Sequence, residues 1–322
     1  MGGRYLLVAD PAETLNPEFD LGVCVGRELI ARGIHVDYLD LLASDVELPS
    51  DRYLASLPVR EILSSDAARS PFWELGERRK ADVREYGVIL QRKDPPVDDT
   101  FVAYSRHFEE APPEILQINR PPATYQLSEH TLILDYPEYA APTWVCSTPA
   151  ELVEAVRSQG GEAVAKPKNT YCGIGVAFFA PDVEDELLQR YWSEWGPEVV
   201  VQPYLAAIEE TGDLRILTLN GRVLGSVLRV PRAGSRLANL HQGATAARLD
   251  PTPRQLEACR VISRELRGKG LYLLGFDFIG EHLTEINITS PTTIVQIGQV
   301  MGKRTEIEMV DELERMRLTQ DR

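Results

Sequence analysis

Two carboxylates and an amide near the C-terminus carry the densest chemistry in the chain. Asp277, Glu285 and Asn287 flank a tight connection at Gly280-Glu281-His282, within the run Gly275 to Pro291. Alternation on both sides of a hairpin-sized gap predicts two antiparallel strands. Folding about Glu281 sets Asp277 opposite Glu285, with Asn287 two residues further along the same face. Opposed side chains in such a ribbon stand roughly 5 Å apart at Cβ. Unpaired carboxylates repel there, so the arrangement calls for a cation. Hard oxygen donors in small number suit Mg²⁺ held partly by a substrate phosphate. The same triplet also fits the outward polar face of an ordinary hairpin.

Other candidates are cationic or glycine-bearing. Arg92 and Lys93 follow the apolar run Tyr86 to Leu90 and precede Asp94-Pro95-Pro96. Ligands in open α/β sheets bind beyond the carboxyl ends of strands, so Arg92 is placed for a substrate anion; a surface loop with a rigid turn is the plainer alternative. Glu162 to Pro167 reads as a strand carrying Lys166, followed by a loop with Gly173 and Gly175 and a second strand from Ala177. Such a loop lets backbone N–H groups approach a phosphate, although a hairpin turn looks the same. It is neither a Walker A nor a dinucleotide fingerprint. Arg215 and Arg229 lie on strands joined by the hairpin signal Asn220-Gly221. A polar loop from Pro231 to Thr245 carries Arg232, Arg236, Asn239, His241 and Gly243, and its length and glycine content suggest a mobile element over a site.

The elements that must hold these residues are α/β in order. Residues 5–9 form a strand, a helix is expected from Glu18 to Arg32 with Gly33 closing it, and Val36 to Leu39 is a second strand: a parallel opening. Ala43 to Lys80 has no clear period. Leu116 to Asn119 is expected to end the first domain. Thr148-Pro149-Ala150-Glu151 caps a helix, and so does Thr252-Pro253-Arg254-Gln255, with Leu256, Cys259, Ile262 and Leu266 turned inward. Glu306 to Leu318 reads as a helix capped by Thr305 and Glu308.

The chain has 322 residues and a formal net charge of −15. About two domains are expected. The acidic balance argues against nucleic acid and against a polybasic membrane surface. The four cysteines, Cys24, Cys146, Cys172 and Cys259, show no C-x-x-C spacing, so a disulfide framework or zinc site is not expected. Free thiols and the lack of a signal-peptide or membrane-span pattern point to the cytoplasm.

In Leu90-Gln91-Arg92-Lys93-Asp94-Pro95-Pro96, Gln202-Pro203-Tyr204-Leu205, Asp213-x-Arg215, Leu228 to Pro231 and Leu283 to Pro291, the chain resembles the prokaryotic glutathione synthetase family, of the ATP-grasp fold. The likeness covers nearly the whole length. It implies an N-terminal α/β substrate-binding domain (1–122), a linker and lid subdomain (123–200) and a C-terminal α+β catalytic and metal-binding domain (201–322). By the same resemblance Lys166 contacts ATP phosphates, Gln202, Tyr204 and Leu205 form a hinge that meets adenine, and Asp213 and Arg215 lie near nucleotide and substrate. Asp277, Glu285 and Asn287 hold two Mg²⁺ ions, with Mn²⁺ as an alternative. Ser290 meets the peptide substrate. The implied reaction joins γ-glutamylcysteine to glycine through an acyl phosphate, in a homo-oligomer. Arg215, Arg229 and Arg236 would stabilise its charges, while Arg92, Asn239 and Ser290 would face substrate.

Three departures from the family pattern stand out. Ser128-Glu129-His130 replaces the usual Asn-Glu-Lys. Lys168, Tyr171 and Cys172 intrude in the lid loop. Arg236 is displaced by about one position, with Leu237 in its place. Two alternatives therefore stand beside the main expectation: a divergent ATP-grasp ligase for another acid and amine, and a non-catalytic ATP-binding protein.

Overall fold

The structure, a computed structural model, describes residues 3–40, 56–171, 173–232, 234–236, 238, 240 and 243–320. Its first sheet grows around β1 (Tyr5–Ala9), five residues buried on both faces. A parallel strand with helices on either side reads as such an apolar run. β2 (Val36–Asp40), β5 (Val88–Arg92) and β6 (Leu116–Ile118) extend the parallel part. The stretch without clear period contains an antiparallel hairpin, β3 (Leu57–Ser65) and β4 (Trp73–Ala81), giving the order β4-β3-β2-β1-β5-β6. The rest of that stretch, 41–55, lies outside the described residues. Helix α1 (Leu21–Ala31) starts later than expected because Asp20 caps it, accepting from Val23 N at 2.8 Å. β5 runs two residues past the expected strand, so Arg92 ends the strand and is buried. Helices α2 (Asp99–Arg106) and α3 (Pro121–Gln126) follow β5 and β6.

β7 (Trp144–Cys146), β8 (Ala163–Pro167), β9 (Ala177–Phe179) and β10 (Val199–Pro203) form a second sheet in the order β7-β10-β8-β9. Helices α4 (Pro149–Ser158) and α5 (Asp185–Trp195) pack their apolar residues on it. Thr148 caps α4 as expected, accepting from Glu151 N. After the short helix α6 (Ala207–Thr211) come β11 (Asp213–Leu219), β12 (Arg222–Val230) and β13 (Thr245–Ala247). With β14 (Leu273–Ile279) and β15 (His282–Asn287) they make the third sheet, β13-β12-β11-β14-β15. Helix α7 (Pro253–Arg267) covers one face through Ala258, Cys259, Ile262 and Leu266. Its capping box at Thr252 and Gln255 forms, but Leu256 is exposed rather than inward.

The other face meets α8 (Ile294–Met301) and α9 (Thr305–Gln320). Through them Leu217, Leu224 and Val227 share one core with Tyr5, Leu7 and Leu90 of the first sheet. Tyr5 OH donates to Glu314 of α9 at 2.5 Å. The expected α9 capping box does not form: Thr305 begins the helix itself, its hydroxyl has no partner among the described residues, and Glu308 pairs with Lys303 at 3.0 Å. Among the described residues no helix is long and apolar enough to cross a membrane.

The β14–β15 hairpin carries one detail that decides the site. Ile279 pairs with His282 and Phe278 with Leu283, around the two-residue turn Gly280-Glu281. Continued, that register would set Asp277 opposite Thr284 and turn Glu285 to the other face. A one-residue bulge at Thr284 shifts it, so Asp277 pairs with Glu285 and Gly275 with Asn287. All three polar side chains then share a face.

α8 can lie on β12 only because residue 225 is glycine. A Cβ there would stand 2.4 Å from Ile297 Cγ2 and 2.7 Å from Met301 Sδ, at φ 156°. Gly225→Ala is expected to destabilise the protein by about 1–3 kcal/mol through overpacking. The urea midpoint checks this, and an unchanged midpoint would show that α8 is not so tightly seated.

Candidate functional site

A cavity of about 900 Å³ opens where the three sheets meet. Its floor is set by cross-strand pairing in the third sheet. Arg215 on β11 stands opposite Asp277 on β14, and Asp213 on β11 stands opposite Arg229 on β12. Directly opposed side chains on one face interact. Arg215 donates from Nε to Asp277 Oδ1 at 2.7 Å and from Nη2 to Oδ2 at 2.6 Å. Its Nη2 also reaches Asn287 Oδ1 at 3.0 Å. Arg229 Nη2 bridges Asp213 Oδ2 at 2.5 Å and Asp277 Oδ2 at 2.8 Å. The carboxylates are therefore not the bare, repelling pair that the sequence suggested. Each has a cation supplied by the chain.

Burial would raise the Asp277 carboxyl, but Arg215 and Arg229 outweigh it and hold it below the ordinary range. Asp213 shows the opposite balance: burial, opposed by Arg229 but reinforced by Asp277, pushes it up to about 6. Its Oδ1 is buried, with no hydrogen-bond partner among the described residues.

Glu285 meets a histidine and a lysine. His130 Nε2 lies 3.4 Å from Glu285 Oε2, and Lys166 Nζ lies 3.5 Å from the same oxygen. Burial raises this carboxyl, yet His130 and Lys166 bring it well below its usual value. The His130 ring is fixed from behind by Nδ1 at 2.9 Å from the Lys168 carbonyl. Glu129 receives Ile288 N at 2.7 Å and Thr289 N at 2.8 Å. Burial and then Glu285 raise Glu129, offset in part by those N–H groups.

Asp277, Glu285 and Asn287 offer hard oxygen donors to the cavity. Asp277 Oδ1 accepts one hydrogen bond and keeps a second lone-pair direction. Among the described residues no group of three His, Cys, Asp or Glu side chains forms a metal cage. Two carboxylates and an amide fit an ion that a phosphate ligand completes, which is the habit of Mg²⁺.

Lys166, Gly173, Gln202, Tyr204, Leu205, Asp213, Arg215, Arg229, Arg236, Asp277, Glu285, Asn287 and Ser290 all line the cavity. Three sequence expectations meet a different outcome. Gly175 is not among the residues lining the cavity; at φ 74° a Cβ there would stand 3.1 Å from the Pro167 ring. Arg92 is sunk behind the wall, with Nη1 on the Pro291 carbonyl at 3.1 Å, because β5 extends through it. Arg236 turns to the lid sheet rather than to the carboxylates. It grips Glu162 with both terminal nitrogens, at 2.6 and 2.5 Å, and its guanidinium lies 4.9 Å from the Phe178 ring centroid and 4.7 Å from that of Tyr204. Asn239, His241 and Cys172 lie outside the described residues.

Sequence reading missed Glu162, Glu129 and the contact of His130 with Glu285. Their partners are distant in the chain, and no local spacing marks them.

A family model described as "Prokaryotic glutathione synthetase, N-terminal domain" matches residues 4–142, and one described as "Prokaryotic glutathione synthetase, ATP-grasp domain" matches residues 129–302. The chain is 30% identical over 319 residues to a glutathione synthetase of Rhodopseudomonas palustris, covering 96% of this chain and 97% of that one. It is 32% identical over 305 residues to a glutathione synthetase of Prochlorococcus marinus, covering 93% and 94%. Solved structures of similar fold include the D-cycloserine synthetase DcsG (TM-score 0.66, 13% identity, 97% of this chain and 100% of that one). D-alanyl-alanine synthetase A from Vibrio cholerae is another (TM-score 0.61, 14% identity, 98% and 99%).

Removing one arginine exposes the balance at the floor. Arg229→Met should cost about 3–5 kcal/mol, because Asp213 and Asp277 lose their shared cation. If the carboxylates bind Mg²⁺, millimolar Mg²⁺ should restore part of the lost thermal stability. Melting curves with and without chelator measure both effects, and a variant as stable as the parent in chelator contradicts this reading of the floor.

Proposed function

The chain belongs to the prokaryotic glutathione synthetase family, and on that premise we propose that it joins γ-glutamylcysteine to glycine at the expense of ATP. It is a C–N bond-forming ligase of the ATP-grasp fold. One observation carries the assignment of roles: Asp277, Glu285 and Asn287 share one face of a hairpin, with Lys166 at 3.5 Å from Glu285 and Arg215 and Arg229 braced on Asp277.

In this reading the nucleotide occupies the cavity between the lid sheet and the β14–β15 hairpin. Lys166 and the loop at Gly173 meet its phosphates. Gln202, Tyr204 and Leu205 border its base, within an otherwise apolar wall that includes Val164, Val176 and Ile279. Asp277, Glu285 and Asn287 would hold Mg²⁺, which when bound neutralises charge on the phosphates; Mn²⁺ is the alternative ion.

A carboxylate oxygen of the acid forms a bond to the γ-phosphorus as the β–γ bridging bond breaks and ADP departs. The glycine amine then attacks the acyl carbon and loses a proton. The resulting tetrahedral centre expels phosphate by cleaving its C–O bond. Arg215 and Arg229 stabilise the acyl phosphate and that oxyanion. Because both are already anchored on buried carboxylates, they need little reorganisation as charge develops. Arg236, anchored on Glu162, ties its loop to the lid sheet, which favours exclusion of water from the acyl phosphate. No side-chain nucleophile is required.

The partition into an acceptor-side domain (1–122), a lid (123–200) and a catalytic domain (201–322) belongs to the same proposal. So do cytoplasmic residence, homo-oligomeric assembly and Ser290 as a substrate contact. A second reading, ligation of a different acid and amine, is favoured by His130 standing beside Glu285 where the family usually has lysine.

Phosphate release in the presence of ATP, Mg²⁺, γ-glutamylcysteine and glycine tests the proposal. Glu285→Ala should lower kcat by at least about 100-fold while the folded protein persists. Undiminished turnover in that variant would sink the site assignment. Release with another acid–amine pair alone would select the second reading.

A further inference from the structure

His130 is held in place by the chain around it. The neighbouring Glu129 carboxylate accepts Ile288 N at 2.7 Å and Thr289 N at 2.8 Å, and the Glu129 carbonyl accepts Ile286 N at 3.3 Å. These bonds tie the segment to the end of β15 that carries Glu285. His130 is 4% exposed and lines the cavity together with Lys166 and Glu285. Its Nδ1 lies 2.9 Å from the Lys168 carbonyl, which also accepts from Ser128 Oγ at 3.2 Å. A carbonyl can only accept, so Nδ1 carries the ring proton and Nε2 is left with the lone pair.

Nε2 stands 3.4 Å from Glu285 Oε2. A charge-assisted hydrogen bond between them would close to about 2.7–2.9 Å. With the proton on Nδ1, two lone-pair atoms face one another instead, an arrangement that a cation between them satisfies. The spacing admits one. Metal bonds of about 2.0–2.1 Å to nitrogen and to oxygen set the two donors about 2.9 Å apart at a right angle and about 3.3 Å apart at the tetrahedral angle. A histidine that ligates a metal almost always donates its other ring N–H to a carboxylate or carbonyl. The bond to Lys168 is of that kind.

The residue type sets the chemistry. A lysine, usual here in the family, brings a charge and no lone pair. Histidine offers a nitrogen donor in its place. Carboxylate and carbonyl oxygens suit Mg²⁺, whereas imidazole suits first-row transition ions, whose affinity for such sites rises from Mn²⁺ onward. Lys166, 3.5 Å from the same Glu285 oxygen, is a compact charge on a flexible stem, and a nucleotide phosphate gives it another partner as the ion enters. Two protein donors leave the other positions to phosphate oxygens and water.

We propose that His130 Nε2 is a ligand, together with Glu285, of the divalent ion that accompanies the nucleotide, and that this nitrogen turns the site from Mg²⁺ toward Mn²⁺ and later first-row ions. The proposal rests on the ligase reading only in taking Glu285 to hold the nucleotide's ion.

Pulsed electron paramagnetic resonance of bound Mn²⁺ tests it. The full chain, untagged and labelled with ¹⁵N-histidine, is loaded with Mn²⁺ and the β,γ-methylene analogue of ATP. Coupling of the Mn²⁺ spin to both ³¹P and ¹⁵N is expected. His130→Phe keeps the ring shape without the lone pair, and His130→Lys restores the family residue. In both, the ³¹P coupling should remain and the ¹⁵N coupling should vanish. Displacement of bound Mn²⁺ by Mg²⁺ should show the Mn²⁺-to-Mg²⁺ affinity ratio falling at least about 10-fold in His130→Phe. A parent spectrum with ³¹P coupling alone, ¹⁵N coupling that survives in either variant, or an unchanged ratio overturns the proposal. Phosphate release with γ-glutamylcysteine and glycine is measured alongside. Turnover with ³¹P coupling alone removes the nitrogen ligand and leaves the ligase reading; ¹⁵N coupling without turnover does the reverse.

Discussion

Everything in the cavity depends on Asp277 remaining charged while buried. A carboxylate removed from water would ordinarily take up a proton. Here two guanidinium groups share it, one from each of the strands β11 and β12. The pairing is a property of the sheet register, because Arg215 faces Asp277 and Asp213 faces Arg229 across neighbouring strands. A buried ion pair of this sort is weak evidence for stability, since a matched apolar set could replace it without loss. Its use is positional: it fixes two cations and two anions at the floor of a cavity.

The remainder of the molecule keeps that floor in reach of three walls. One core runs from Tyr5 and Leu7 of the first sheet through α8 and α9 to Leu217 and Val227 of the third. The second sheet, with its own core, brings Lys166 to the opposite side of Glu285. Arg236 joins that sheet to the loop after β12 through Glu162. Acidic residues outnumber basic ones, 49 Asp and Glu against 34 Lys and Arg, and four cations with His130 gather around three of the cavity's carboxylates and its lid.

How much of this could be read from residues alone differs from one element to the next. The opposition of Asp277 and Glu285 was legible in the strand alternation, yet it arises through the Thr284 bulge, since the tight turn by itself would set another register. The caps at Thr148 and Thr252 were legible because a cap is local chemistry. Thr305 had the same signature and forms none, because Glu308 is drawn to Lys303. Arg92 was read as a substrate contact from its position and charge, and Arg236 as a charge stabiliser from the family resemblance. One is buried by the extension of its strand, and the other is claimed by Glu162, 74 residues away. His130 was read only as the residue standing where the family usually has lysine, and its place at Glu285 depends on an approach between distant segments that no periodicity encodes. Local pattern specified strands, turns and most caps; the partners of charged side chains were set by tertiary contact.

The central claim is that the charged floor serves to activate a carboxylate by phosphorylation. The most direct measurement uses γ-glutamylcysteine labelled with ¹⁸O in its C-terminal carboxylate, turned over with ATP and glycine, followed by mass analysis of the released phosphate. Acyl phosphate chemistry predicts one labelled oxygen transferred to phosphate at each turnover. Phosphate released without label would contradict it.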